Sequence, residues 1–111
     1  MIIQRTEQNG VTILSLNGRL DATAVAGLDQ AFASSFSQGA RNFVWDFHQL
    51  TYISSAGLRS VLQALKATGA SKGKLTIARV SPQVMEVLEI SGFKDLLAIH
   101  DDMESALEAS R

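Results

Sequence analysis

The chain has 111 residues, a formal net charge of −1, 46% hydrophobic residues and no cysteine. These totals suit one domain over residues 1–111 with its own core, and the near-neutral balance offers no basic face for nucleic acid or an acidic membrane. A disulfide or thiolate metal site is excluded, no apolar run approaches the roughly 18 residues of a membrane span, and "MIIQRTEQNG" lacks the pattern of a secretory signal, so a cytoplasmic location is expected.

The first two segments, "MIIQRTEQ" and "VTILSLNG", flank Asn9-Gly10. An Asn-Gly pair between β-prone runs predicts a tight hairpin, because both residues accept positive φ. From Asp21 the period changes. Val25, Leu28, Phe32 and Phe36 recur at helical spacing, Asp21 or Thr23 is placed to cap the start, and Gly39 ends the run. "NFVWDF" follows, a near-continuous apolar strand of the kind that has both faces covered.

Next comes "TYISSAGLRSVLQALKATG", Thr51 to Gly69. Leu58, Val61, Leu62 and Leu65 fall at i, i+3, i+4 and i+7, with Arg59, Ser60, Gln63 and Lys66 on the other side, which predicts an amphipathic surface helix. "KLTIARV" is a further strand. Ser81-Pro82 reads as cap and first residue of a helix ending at Ser91-Gly92. A short strand "LLAIH" and a last helix from Asp101-Asp102 through Leu107 complete an order β-β-α-β-α-β-α-β-α. That order predicts an α/β fold with a mostly parallel sheet and a hairpin at one edge.

Enzyme motifs are thin. "GASKGK" has one residue too few between its glycines for a phosphate loop and leads into a strand, so it reads as a turn. Ser91-Gly92-Phe93-Lys94 matches S-x-x-K without the companion motifs. His48 and His100 read as strand-end loop residues, and nothing else recommends a metal or a cofactor. Asp46, an acid inside an apolar strand, either lines a functional surface at the carboxyl end of the sheet or accepts hydrogen bonds from loop amides.

Ser54 and Ser55 are the residues that ask for an explanation. One serine suffices to cap a helix. Ala56-Gly57 is a poor opening turn on propensity alone, and two small residues there suggest a backbone left open to close approach. A serine nucleophile lacks a base and an oxyanion hole at any usable spacing. A modified serine needs neither.

The segments "LNGRLDATA", "FVWDFHQLTYISSAGLRSVLQAL" and "KLTIARVSPQVMEVLEISGF", with the acidic start of the last helix, resemble the STAS domain of bacterial anti-sigma factor antagonists over essentially the whole chain. The "YISSAGLR" turn is the most specific element. The resemblance implies four helices on a mixed, mostly parallel sheet of about five strands, and a regulatory protein without catalysis. It implies partner switching. The unphosphorylated form binds an anti-sigma factor that is also an ATP-using serine kinase, releasing the sigma factor or another regulated output. Phosphorylation dissolves the complex, and a serine phosphatase restores it.

By the same resemblance, the family's Asp-Ser-Ser/Thr-Gly-Leu pattern places Ser55 as phosphoacceptor. Ser54 stands where many members carry Asp and remains a competing site. The family's strand acid matches Asp46, and its acid after "GRL" matches Asp21. The expected contact surface comprises Asp21, Tyr52, Ser54, Ser55, Ala56, Gly57, Arg59, Ser60 and Gln63, with Tyr52 partly buried. A second reading is a constitutive, never phosphorylated STAS interaction subunit, for example of a lipid-transport ATPase. Homodimerisation stays open, because the hairpin edge carries no clear blocking device.

Overall fold

The computed structural model describes residues 1–111, and the sheet it contains grows in one direction. Five strands lie in the order β1 (Ile2–Gln8), β2 (Val11–Leu20), β3 (Asn42–Ile53), β4 (Lys74–Ala78) and β5 (Ala98–His100). The β1–β2 pair is antiparallel and the other three pairings are parallel. Helices α1 (Val25–Ser37), α2 (Ser55–Ala70) and α3 (Pro82–Ile90) connect successive parallel strands, and α4 (Met103–Ala109) follows the last. Parallel crossovers are right-handed. Each step therefore adds a strand on the same side and lays its helix on the same face.

The core follows from that placement. Leu28 of α1, Val61 and Ala64 of α2, and Val84 and Leu88 of α3 bury against Leu14, Leu16, Phe43, Trp45, Phe47 and Ile77 on one face. On the other face α4 alone covers Val11, Ile13, Val44 and Ala78 through Ala106. The continuous apolar run of β3 is thus buried on both sides, as its sequence requires. Phe32 fastens α1 to the sheet, its ring 4.9 Å from Phe43 and 6.0 Å from Trp45 between centroids.

Local signals decide the element ends. Asn9 and Gly10 adopt φ of 52° and 82°, closing a two-residue hairpin in the primed geometry that matches strand twist. Ser81 caps α3 through its hydroxyl, with Pro82 in the first turn. Asp102 caps α4, its carboxylate accepting from Ser105 N–H at 2.7 Å. The start of α1 departs from expectation. Its cap position is Ala24, and Asp21 instead holds the preceding turn, its Oδ1 accepting from Thr23 and Ala24 N–H and from the Thr23 hydroxyl.

Two strand boundaries differ as well. β3 continues through His48 and Gln49 to Ile53, so His48 is a strand residue with an exposed side chain, not a loop residue. The sheet extends there beyond the cover of α4, and polar side chains are tolerated on its bare face. "LLAIH" contributes only Ala98–His100 to the sheet, because a 3-10 turn at Phe93–Asp95 occupies the preceding chain.

Candidate functional site

The ends of β2 and β3 lie side by side, and the chain turns from β3 directly into α2. Three hydrogen bonds stitch this corner. Ser54 N–H donates to the Leu20 carbonyl at 2.9 Å, the Ser54 hydroxyl donates to the same oxygen at 3.0 Å, and the Thr51 hydroxyl donates to Gly18 O at 3.1 Å. The Ser54 Oγ also accepts from Gly57 N–H at 3.1 Å, which makes Ser54 the N-cap of α2. The donor of that hydroxyl and one of its acceptor sites are thus used inside the fold.

Ser55 is the first helical residue and is exposed. It sits where unpaired helical N–H groups and the positive end of the helix dipole favour an anion. The adjacent serines therefore occupy different chemical settings, one tied into the corner and one facing solvent.

Gly57 is buried, which corrects the expectation of an accessible backbone there. A Cβ at this position would stand 2.8 Å from Leu20 Cγ and 3.0 Å from Ile53 Cγ1. The small residue is needed so that the first turn of α2 can seat against the strand ends. Ser60 is likewise turned inward, 5% exposed, where it lines a groove with Phe32 of α1 and Trp45 of β3. Arg59 and Gln63 face solvent, and Ala56 is half-buried. Gly57 and Ser60 thus shape the expected contact surface from beneath.

Tyr52 is 38% exposed, more open than expected. Arg19, its register partner on β2, lies over the ring with its guanidinium carbon 4.2 Å from the centroid. The sequence reading passed over Arg19, since only the β2–β3 register brings it to the corner. Asp21 is the first residue after the end of β2. Its carboxyl is held below its ordinary value of 3.8, chiefly by the Thr23 hydroxyl and further by the Thr23 and Ala24 N–H groups, with desolvation opposing.

Asp46 and His48 sit farther back on the sheet. Asp46 is buried and forms a two-point ion pair with Arg79, Nη2 to Oδ2 at 2.6 Å and Nε to Oδ1 at 3.2 Å. It also accepts from His48 N–H at 3.1 Å. Part of the expected backbone bonding is present, and the guanidinium is the partner that the sequence reading missed. Arg79 adopts φ of 57°, and its N–H donates to His100 O at 2.9 Å, so this pair ties β3 to the ends of β4 and β5. Asp46 raises the Arg79 pKa, first through the hydrogen bonds. No group of three His, Cys, Asp or Glu residues gathers anywhere as a metal site.

The corner where β2 and β3 end and α2 begins is thus built on an α/β sheet whose sequence and fold match known proteins. The STAS domain model matches residues 3–106. The Bordetella bronchiseptica protein BtrV, designated an anti-sigma factor antagonist, is 36% identical over 101 residues, covering 91% of this chain and 87% of BtrV. A Thermotoga maritima protein designated an anti-sigma factor antagonist superposes with a TM-score of 0.92 at 20% identity, covering 98% of this chain and 94% of the other. The Bacillus cell-fate determinant SpoIIAA, solved in phosphorylated form, superposes with a TM-score of 0.75 at 24% identity, covering 99% and 100%. The chain belongs to the STAS family and, within it, to the anti-sigma factor antagonists, a regulatory class that works without catalysis. No helix is long and apolar enough to cross a membrane.

Proposed function

We propose that this protein is the phosphorylation-controlled component of a bacterial partner switch, with Ser55 as the acceptor. Its partner is an anti-sigma factor that is also an ATP-dependent serine kinase, and a serine phosphatase reverses the modification. The observation that carries the reading is the division of labour at the turn. The Ser54 hydroxyl is committed to Leu20 O and Gly57 N–H, whereas Ser55 is exposed at the helix N-terminus. A kinase reaches Ser55 without dismantling the cap, and the fold tolerates the product because the helix end accommodates an anion.

The switch then acts on the interface. Phosphate adds about −1.5 to −2 charges at neutral pH. A partner surface closed over a neutral hydroxyl at Ser55, over Tyr52 and Asp21, and over Arg59 and Gln63 of α2 meets a bulky hydrated anion instead. A penalty of about 3 kcal/mol lowers affinity more than a hundredfold, enough to exchange partners. The kinase supplies the chemistry, and this chain supplies a hydroxyl and a shape.

Peptide mapping and intact mass of the protein from its native cells, with Ser55→Ala alongside, test this reading. The expected result is phosphate on the Ser55 peptide, absent from the variant. Phosphate on Ser54 would overturn the residue assignment. Absence of phosphate across growth conditions would overturn the switch and leave a constitutive interaction subunit.

A further inference from the structure

The open edge of β1 carries a charge pattern complementary to itself, and we propose that it pairs antiparallel with β1 of a second copy about a two-fold axis at Thr6. This assembly is independent of the switch at Ser55. β1 hydrogen-bonds to β2 on one side only, and all of its residues except Ile3 are exposed. Over Ile2–Gln8 it has neither proline nor lysine, and its register with β2 is unbroken by a bulge. Proline, lysine and bulges are among the devices by which edge strands ordinarily avoid pairing, and the two charges β1 does carry, Arg5 and Glu7, are of opposite sign. The opposite edge, β5, is only 3 residues long and offers little to pair with.

The hairpin fixes which groups point outward. A two-residue turn makes Gln8 and Val11 a mutually hydrogen-bonded pair. The alternation along the strand then directs the backbone groups of Gln4, Thr6 and Gln8 toward β2, and those of Ile3, Arg5 and Glu7 toward the open edge. An antiparallel partner must set outward residues opposite outward residues. For a second copy, the axis therefore falls at Gln4, Arg5, Thr6 or Glu7.

Charge selects among these registers. An axis at Arg5 or Glu7 sets that residue opposite its own copy, like charge on like, which is unfavourable. An axis at Gln4 sets Arg5 opposite Ile3 and wastes both charges. An axis at Thr6 sets Arg5 opposite Glu7 twice over, in reciprocal, hydrogen-bonded positions. The two side chains already share one side of β1, with Arg5 Nη2 and Glu7 Oε1 2.8 Å apart and exposures of 42% and 62%. The product is a continuous ten-stranded sheet.

The chain has no cysteine, which gives a direct test. At the Thr6 axis the two Thr6 residues form a non-hydrogen-bonded pair, with Cα atoms about 4.5 Å apart, inside the range for a disulfide. Mild oxidation of Thr6→Cys is expected to give a covalent dimer at concentrations where the unmodified chain sediments as a dimer. Gln4→Cys, also exposed but two residues off the axis and so opposite Gln8 of the second copy, is expected to cross-link poorly. Adding Arg5→Glu makes both charge pairs repulsive and weakens noncovalent dimerisation about tenfold or more. Adding Glu7→Arg to that variant reverses both signs and restores pairing. A monomer by sedimentation throughout, or Gln4→Cys cross-linking as readily as Thr6→Cys, overturns the proposal. So does failure of the double charge reversal to restore what Arg5→Glu removes while circular dichroism shows it folded.

Discussion

Replacing Ser54 with alanine separates the two serines energetically. The substitution removes the bond accepted from Gly57 N–H at 3.1 Å, a cap worth about 1 kcal/mol. It also removes the bond donated to Leu20 O at 3.0 Å, worth about 0.5–1.5 kcal/mol. The Leu20 carbonyl keeps its bond from Ser54 N–H, so no buried acceptor is orphaned. The expected cost is about 2 kcal/mol, a fall in Tm of roughly 8–9 °C for a chain of this size.

Ser55→Ala touches an exposed side chain and is expected to stay within about 0.5 kcal/mol of the parent. Ser54→Asp keeps a cap acceptor but loses the donor and sets a carboxylate against the Leu20 carbonyl. It should fall between Ser54→Ala and the parent. Urea unfolding followed by fluorescence reports on all three, because Trp45 is the only tryptophan and is buried. Equal losses for Ser54→Ala and Ser55→Ala would refute the division of roles at the turn.

Gly57→Ala gains helix propensity but places a methyl 2.8 Å from Leu20 Cγ, so overpacking is expected to prevail with a net loss of about 1–2 kcal/mol in unfolding free energy, read as a lower urea midpoint. Asp46→Asn weakens a two-point ion pair whose guanidinium side is 38% exposed, and a loss of about 1–2 kcal/mol by thermal unfolding is expected, below the cost for a fully buried pair. The carboxyls of Asp21 and Asp102 are held below their ordinary values, Asp21 chiefly by the Thr23 hydroxyl and Asp102 chiefly by the Ser105 N–H. A depressed carboxyl contributes stability that is present above its unfolded value and lost as pH falls through the folded one. Asp21→Asn with Asp102→Asn should therefore flatten the decline in Tm below about pH 4, and an unchanged slope would contradict those assignments.

The order of elements, the hairpin at Asn9-Gly10, the cap at Ser81, the acidic start of the last helix and the double-sided burial of Phe43–Phe47 were all legible in the sequence. Each is a local matter, of residues that accept positive φ, hydroxyls or carboxylates three positions before a free N–H, or apolar side chains spaced to a period. The turn at Ser54-Ser55 stood out for the same reason, though sequence left open which serine caps. Tertiary structure decides that question, because the Leu20 carbonyl that engages Ser54 arrives from 34 residues away. It also decides that Gly57 and Ser60 are buried, since helical spacing gives the faces of a helix but not which neighbours cover them. Arg19 over Tyr52 and Arg79 on Asp46 depend on strand register, set by how whole strands pair. Sequence marks where chemistry is concentrated; packing determines which groups are left free to use it.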